Sequence, residues 1–348
     1  MNDAKLHELI GNVLQDLGGA FSVPLVQIGE QLGLYEAIDS LGSCTAMDLA
    51  AKTNLNQRYL REWLCAQAAS GYLCYDQDSD AFSMTPEQAF VFANRDSPFY
   101  LAPAFGAAAA FTQNEPLVRD AFATGNGISW GDQSQCLSCA VARFFRPGYQ
   151  NHLAQAWLPA IEGMQAKLEA GAQVADVGCG HGYTTTLMAQ AFPNSTFTGH
   201  DFHEGSVEAA RKHASNHDVS NVTFEVSEAK SLNGKFDLVT IFDCLHDMGD
   251  PVGGMKRVRE SLNDGGACMI VEPMAGDSVS ENLNPVGRLY YSASTMVCVP
   301  TSLAQETGAA LGAQAGEAVL KNVIEEAGFS HVSRIAETPF NLILAAQL

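Results

Sequence analysis

A glycine-rich loop at residues 176–182 constrains the fold of this chain more than any other feature. The apolar run at residues 173–177 ends in this loop, where glycine occupies every second position from Gly178, and a pattern of helical period begins near Tyr183. A buried strand, a tight turn and a helix N-terminus are therefore predicted. Glycine allows a positive φ and a close approach of a ligand to the backbone. Because the spacing is G-x-G-x-G rather than G-x-G-x-x-G, we expect a ligand without phosphates.

Acidic residues follow the next two predicted strands. The strand at residues 196–200 ends at Asp201, where a carboxylate can accept hydrogen bonds from both ribose hydroxyls of an adenosine ligand. The strand at residues 222–226 is followed by Glu228, which can reach the exocyclic amine of an adenine ring. The loop and the two acids together predict a site for an adenosine-containing molecule.

Two further motifs continue this order along the chain. A Phe-Asp-Leu-Val string opens the strand predicted at residues 236–242, and a Gly-Gly pair at 265–266 precedes the strand predicted at 267–271. With the glycine loop and the acids, these motifs make the segment from about residue 173 onward resemble a class I S-adenosylmethionine-dependent methyltransferase. The resemblance implies an α/β fold with a Rossmann-like sheet of seven strands in the order 3-2-1-4-5-7-6. It also implies S-adenosyl-L-methionine as the cofactor.

The whole chain is similar to a bacterial group of these enzymes that carries an N-terminal winged-helix, O-methyltransferase-like dimerisation domain. The strings at residues 144–149, 246–251 and 284–291 carry this similarity. The resemblance implies the following cofactor-binding residues: Asp176, Gly178, Gly180, Gly182, Asp201, Phe202, Glu228, Ala229, Asp243 and Tyr149. It places Trp130, Phe145, Arg288 and Tyr291 in the substrate pocket, and no metal.

His246 and Glu272 are the candidate catalytic residues. The string at residues 245–250 is similar to the His-Asp-Trp-x-Asp segment of plant-type O-methyltransferases, in which the histidine is the base, although Met248 replaces the tryptophan here. Glu272, at the end of the fifth strand, can orient His246 or contact the substrate. An oxygen acceptor usually needs a base, whereas a thiol or sulfide is partly ionised near neutral pH. Methyl transfer to oxygen or sulfur of a small molecule therefore stays open, as does a non-catalytic His246.

The order helix, turn, helix, hairpin in residues 1–96 predicts a winged helix. Residues 1–100 contain five lysines and arginines against thirteen aspartates and glutamates, and the formal charge of the chain is −20. DNA-binding modules normally present a basic stripe. We therefore predict a domain that dimerises the chain and binds no nucleic acid, held by apolar faces on helices at 3–18 and 22–38. The alternative is a cofactor-sensing transcriptional regulator.

The remaining expectations concern organisation and location. We predict a winged-helix domain at 1–96, a helical linker and pocket cap at 97–165 and the cofactor-binding domain at 166–348. Nine cysteines, an odd number, do not suggest disulfides, and the C-x-x-C pair of Cys136 and Cys139 lacks a second ligand pair. With neither a signal-peptide pattern nor an apolar run long enough to cross a bilayer, a cytoplasmic location without membrane attachment is expected.

Overall fold

The computed structural model describes residues 1–348, except the side chains of residues 135, 136 and 138. The chain divides into two compact units. The first comprises residues 1–110 and 143–148, and the second comprises residues 111–142 and 149–348.

The first unit consists of helices around a small antiparallel sheet. Its elements are α1 (Asp3–Gln31), α2 (Leu34–Leu41), β1 (Ser43–Cys44), α3 (Ala46–Thr53), α4 (Gln57–Ala69), β2 (Cys74–Asp76), β3 (Ala81–Ser83) and α5 (Pro86–Phe92). The strands pair in the order β1-β3-β2. A capping box starts α3, since Thr45 and Asp48 each bond the other's backbone N–H. The predicted winged helix is confirmed.

Helix α1 differs from its prediction. It runs unbroken through the Gly18–Gly19 pair and Pro24, where the sequence had indicated two helices. A glycine inside a helix costs only about 1 kcal/mol, and the buried Ser22 hydroxyl donates to the Gly18 carbonyl at 2.8 Å. Helix α1 is also long and apolar enough to cross a membrane by length and composition alone, which differs from the expectation that no apolar stretch reaches that length. Mostly buried core helices and N-terminal signal sequences meet the same criterion, and 11% of the apolar window of α1 is buried.

Two helices contribute residues to both units, and the elements that follow them along the chain belong to the second unit. The two are α6 (Ala104–Thr124) and α7 (Gln135–His152). The second unit continues with α8 (Met164–Ala170), β4 (Gln173–Val177), α9 (Tyr183–Ala191), β5 (Thr196–Asp201), α10 (Glu204–Asn216), β6 (Val222–Val226), β7 (Phe236–Phe242), α11 (Pro251–Ser261), β8 (Leu262–Pro273), α12 (Pro285–Ala293), α13 (Val299–Leu303), α14 (Gly316–Glu326), β9 (His331–Glu337) and β10 (Asn341–Gln347).

The seven strands of the second unit form one sheet in the order β6-β5-β4-β7-β8-β10-β9. Numbered within the unit, this is the predicted order 3-2-1-4-5-7-6, so the predicted α/β sheet is confirmed. Strands β6, β5, β4, β7 and β8 are parallel, while β10 is antiparallel to both of its neighbours. Strands β4 and β7 and the part of β8 from residue 266 onward are mostly buried and mostly apolar, as expected of parallel strands covered on both faces. Their carboxyl ends share one edge, where ligands of such sheets bind.

Candidate cofactor and acceptor site

The glycine loop after β4 contains two glycines that packing requires and one that faces open space. Gly178, Gly180 and Gly182 have φ of +74°, +51° and +71°. A Cβ atom on Gly178 would overlap the Cys244 sulfur, and one on Gly182 would lie 2.7 Å from the Phe224 ring. A Cβ on Gly180 would meet no described atom within 4 Å apart from its chain neighbours. The space above Gly180 is therefore available to a ligand that approaches the backbone.

The carboxyl group of Asp176 holds the loop in place through hydrogen bonds. Its Oδ2 accepts hydrogen bonds from the hydroxyls of Thr184 at 2.8 Å and Thr185 at 2.6 Å, and its Oδ1 accepts one from Thr240 at 3.0 Å. The carboxyl is buried, and burial raises its pKa to about 6 despite the three donors. Asp176 thus ties the start of α9 and strand β7 to the loop. Its predicted contact with the cofactor stays a prediction.

Asp201 ends β5 beside the open position of the loop. Its Oδ2 accepts a hydrogen bond from the Gly180 N–H and its Oδ1 accepts one from the His203 N–H, each at 2.9 Å. Burial raises the pKa of Asp201, while these two donors and nearby histidines lower it in part. The carboxylate is therefore held rigidly next to the space above Gly180, where it could accept hydrogen bonds from a diol. The adjacent Phe202 is 47% exposed.

Three more predicted residues lie near this edge of the sheet. Glu228 is exposed just beyond β6, and Ala229 begins the 3-10 turn Ala229–Ser231. Trp130 begins another such turn, and a Cβ on Gly131 would lie 3.3 Å from the His203 ring. The structure thus places the Trp130 turn on the Asp201 side of the unit.

Asp243, the residue after β7, has an unusual backbone conformation, and two other side chains donate hydrogen bonds to its carboxyl group. Its φ is +45°, rare for a residue other than glycine. Its carboxyl accepts hydrogen bonds from the Tyr149 hydroxyl and, at 3.2 Å, from the Asn341 amide. Burial and the neighbouring carboxylate Glu272 raise the pKa of Asp243 well above its usual value, while Tyr149 opposes the shift. Tyr149 and Asp243, far apart in sequence, are thereby brought together.

His246 lies between two carboxylates in the 3-10 turn Leu245–Asp247. Its Nδ1 is 2.5 Å from Glu272 Oε2, and its Nε2 is 3.1 Å from Asp247 Oδ1. Glu272 Oε1 also accepts a hydrogen bond from the Leu245 N–H at 2.9 Å. Burial disfavours the charged imidazole, but Glu272 and Asp247 outweigh it and raise the pKa of His246 well above its usual value. The predicted pairing of His246 with Glu272 is present in the structure.

The predicted substrate-pocket residues belong to different elements of the chain, and their role stays a prediction. Phe145 belongs to the first unit, and Arg288 is exposed on α12. Tyr291 is half-buried, and the preceding residue, Tyr290, is buried. The Tyr290 hydroxyl donates a hydrogen bond to the Phe340 carbonyl at 2.6 Å, and Asp243 and His246 lie close enough to influence its pKa. The Cys136 side chain, one half of the C-x-x-C pair, lies outside the described residues.

Family models match both units of the chain. A model described as "Methyltransferase domain" matches residues 168–328, and a model described as "Rv2258c-like winged HTH domain" matches residues 20–94.

Solved structures of low sequence identity share the fold over nearly the whole chain. An O-methyltransferase family protein from Burkholderia thailandensis is 19% identical with a TM-score of 0.66, covering 100% of this chain and 98% of that one. Human N-acetylserotonin methyltransferase in complex with SAM is 15% identical with a TM-score of 0.67, covering 98% of this chain and 97% of that one.

Curated relatives match over shorter stretches. Trans-aconitate 2-methyltransferase of Deinococcus radiodurans is 34% identical over 112 residues, which are 32% of this chain and 42% of the relative. The ubiquinone biosynthesis O-methyltransferase of Acinetobacter baylyi is 32% identical over 127 residues, which are 35% of this chain and 51% of the relative. The chain spans about a third to a half of the length of the curated relatives that it matches.

Proposed function

We propose that this chain, a class I S-adenosylmethionine-dependent methyltransferase with an N-terminal winged-helix domain, methylates an oxygen or sulfur atom of a small molecule. Its cofactor is S-adenosylmethionine. The observation that carries the proposal is the position of the His246–Glu272 pair at the ends of β7 and β8, beside a glycine loop with open space above Gly180. The glycine loop that we assign to the cofactor and an imidazole paired with a carboxylate thus lie at one edge of one sheet.

We assign the cofactor to the edge formed by β4, β5 and β6. Gly180 and its neighbouring glycines would line the methionine end, Asp201 the ribose hydroxyls and Glu228 the adenine amine. Bound there, S-adenosylmethionine supplies an electrophilic methyl carbon on a sulfonium. Cofactor binding would require no rearrangement of the Asp201 carboxylate, because two backbone N–H groups already hold it in place.

We assign the proton-accepting role to His246 and the orienting role to Glu272. Glu272 holds Nδ1 and is itself held by the Leu245 N–H, which leaves Nε2, 3.1 Å from Asp247 Oδ1, as the nitrogen that we assign to proton transfer. Only the neutral form of His246 can take a proton from a hydroxyl, and Glu272 and Asp247 disfavour that form because they stabilise the imidazolium. An ionised thiol needs no such step, so the importance of His246 depends on the acceptor atom.

The test compares His246→Gln with His200→Gln. His200 is an equally buried histidine in the same unit and hydrogen-bonds Ser227, which makes it a matched control for loss of a buried imidazole. Transfer of a labelled methyl group from S-adenosylmethionine to a panel of phenols and thiols is measured beside cofactor affinity by calorimetry.

For a phenol we expect His246→Gln to reduce the chemical step by about 10²–10⁴-fold with nearly unchanged cofactor affinity. His200→Gln should retain most of the activity. A loss below tenfold for every phenol, together with efficient methylation of thiols, would assign the chain to sulfur acceptors. Absence of cofactor binding in the wild-type protein would refute the proposal as a whole.

We further propose that the chain acts as a cytoplasmic homodimer that does not bind nucleic acid. Exposed apolar side chains line α1, among them Leu9, Leu14 and Phe21, and need a partner surface. On the hairpin side, Arg61 forms an ion pair with Asp80 at 2.7 Å, so a basic group suited to phosphate is already neutralised. This supports dimerisation over the transcriptional-regulator alternative.

A further inference from the structure

We propose that His246 Nε2, Asp247 Oδ1 and Cys298 Sγ form a binding site for one Zn²⁺ ion. These three atoms lie within 4.8 Å of one another, and Nε2 and Oδ1 are 3.1 Å apart. Zinc binds nitrogen, oxygen and sulfur ligands at about 2.0–2.3 Å in tetrahedral geometry, which places its ligand atoms roughly 3.3–3.8 Å apart. Small side-chain movements would bring the three atoms to those separations. A fourth position would stay open to water or to an acceptor atom.

The chain delivers the three groups from two separate segments. His246 and Asp247 are consecutive in the turn after β7. Cys298 ends the π-helical turn Ser294–Cys298, which connects α12 to α13. Single π turns inside helical segments are rare and occur frequently at functional sites. Here the turn sets the position at which the Cys298 thiol reaches His246 and Asp247. The sequence predicted no metal because 50 residues separate these ligands, so no spacing motif arises.

The surroundings of His246 are those of a metal-binding imidazole. Metal-bound histidines usually donate their other ring N–H to a carboxylate, which fixes the tautomer and makes the ligand more basic. Glu272 Oε2 holds Nδ1 at 2.5 Å in this manner, and the Leu245 N–H holds Glu272. The tautomer that Glu272 favours leaves the Nε2 lone pair for a cation.

Asp247 supplies the oxygen ligand of the cluster. Its Oδ1 atom is buried and lies 3.1 Å from His246 Nε2, on the side of the imidazole that a cation would occupy. The cluster also places one imidazole against the carboxylates of Asp247 and Glu272 and a thiol. A divalent cation would offset that excess of negative charge.

Occupation of this site would regulate methyl transfer, and this consequence rests on the proposed function. Zinc and an acceptor proton need the same lone pair on His246 Nε2. The zinc-bound protein therefore cannot use His246 as a base, so micromolar zinc should inhibit methylation of a phenol and a chelator should restore it. Zinc binding itself needs no acceptor and is measured separately.

The experiment uses the full chain after dialysis against a chelator. Zinc is titrated by calorimetry, and Co²⁺ is titrated while its charge-transfer absorption with a thiolate is recorded. Wild type is compared with Cys298→Ser, and Cys74→Ser is the control because Cys74 is an exposed thiol outside the cluster. We expect one zinc per chain, at least tenfold weaker binding in Cys298→Ser and loss of its Co²⁺–thiolate absorption, with Cys74→Ser like wild type.

A Co²⁺–thiolate absorption that persists in Cys298→Ser, or wild-type protein that binds no zinc, would overturn the site. If Cys298→Ser does not fold by circular dichroism, Glu272→Gln replaces it. Loss of the orienting carboxylate should weaken zinc binding by about 10–100-fold, and unchanged affinity would overturn the site equally. Because these measurements contain no methyl acceptor, their failure is distinguishable from failure of the proposed methyl transfer.

Discussion

Alanine substitutions at two neighbouring glycines of the loop should have different consequences. In Gly178→Ala the new methyl group overlaps the Cys244 sulfur, whereas in Gly180→Ala it enters the open space that we assign to the cofactor. Both positions have a positive φ, of +74° and +51°. The first substitution should therefore mainly lower the stability of the fold, and the second should mainly lower affinity for S-adenosylmethionine.

The expected losses of stability follow from the backbone conformation at both positions and from the overlap at Gly178. A left-handed backbone costs a residue other than glycine about 1–2 kcal/mol, and this applies to both variants. Overpacking adds about 1–3 kcal/mol at Gly178 alone. Gly178→Ala should thus lose about 2–5 kcal/mol of unfolding free energy and Gly180→Ala about 1–2 kcal/mol. At about 2–4 °C per kcal/mol for a unit of this size, Tm should fall by about 4–20 °C and 2–8 °C respectively.

A double-mutant cycle isolates the overlap from the backbone cost. Cys244→Ala removes the sulfur, so Gly178→Ala should be less destabilising in that background, by a coupling energy of about 1–3 kcal/mol. The assay is urea denaturation of the four proteins, with calorimetric titration of S-adenosylmethionine into Gly180→Ala. Additive effects of Gly178→Ala and Cys244→Ala would refute the predicted overlap, and cofactor binding by Gly180→Ala as tight as in wild type would refute the predicted place of the cofactor.

Three other predictions can be checked with standard measurements. Asp201→Asn should weaken S-adenosylmethionine binding by at least tenfold in calorimetry, because charge-assisted hydrogen bonds contribute about 1.5–3 kcal/mol each; equal affinity would remove Asp201 from the site. The pKa of Asp176 is raised to about 6 in the fold, so its contribution to stability is present below pH 4 and is lost as the pH rises through 6. Wild type should accordingly lose up to about 3 kcal/mol relative to Asp176→Asn between pH 4 and 7 in urea denaturation, and parallel curves would contradict this. Light scattering at micromolar concentration should give a dimer mass, and gel shifts with duplex DNA at low salt should show no complex; a monomer or a salt-sensitive complex would favour the alternatives.

The fold was predictable from local signals in the second unit. Strands β4, β5, β6 and β7 are short apolar runs bounded by glycine loops or acids, and each lies within a residue or so of its predicted place. Strand β8 begins earlier than predicted, at Leu262, because Leu262 pairs with Phe236 of β7 ahead of a register shift, after which pairing resumes at Ala267. These signals depend on neighbouring residues, which a sequence displays directly.

The contents of the site were less predictable because they depend on contacts between distant segments. Asn341 opens the last strand and reaches Asp243, and Cys298 reaches His246 from a π turn that no local pattern announces. Tyr290, next to the predicted Tyr291, donates to the Phe340 carbonyl, a contact between distant segments that no local pattern indicated, and the role of Tyr291 stays a prediction. A polar residue at the head of the otherwise apolar strand β10 was the one available signal for Asn341.

The backbone turn at Asp243 links the two halves of the proposed site. Its positive φ costs of order 1–3 kcal/mol, and the hydrogen bonds from Tyr149 and Asn341 hold the residue in that conformation. The turn directs the next residue, Cys244, against Gly178 of the glycine loop, and it directs His246 toward Glu272. One constrained residue therefore sets both the shape of the loop that we assign to the cofactor and the direction of the imidazole that we assign to the acceptor. Asn341, although distant in sequence, thereby supports the backbone conformation on which the proposed site depends.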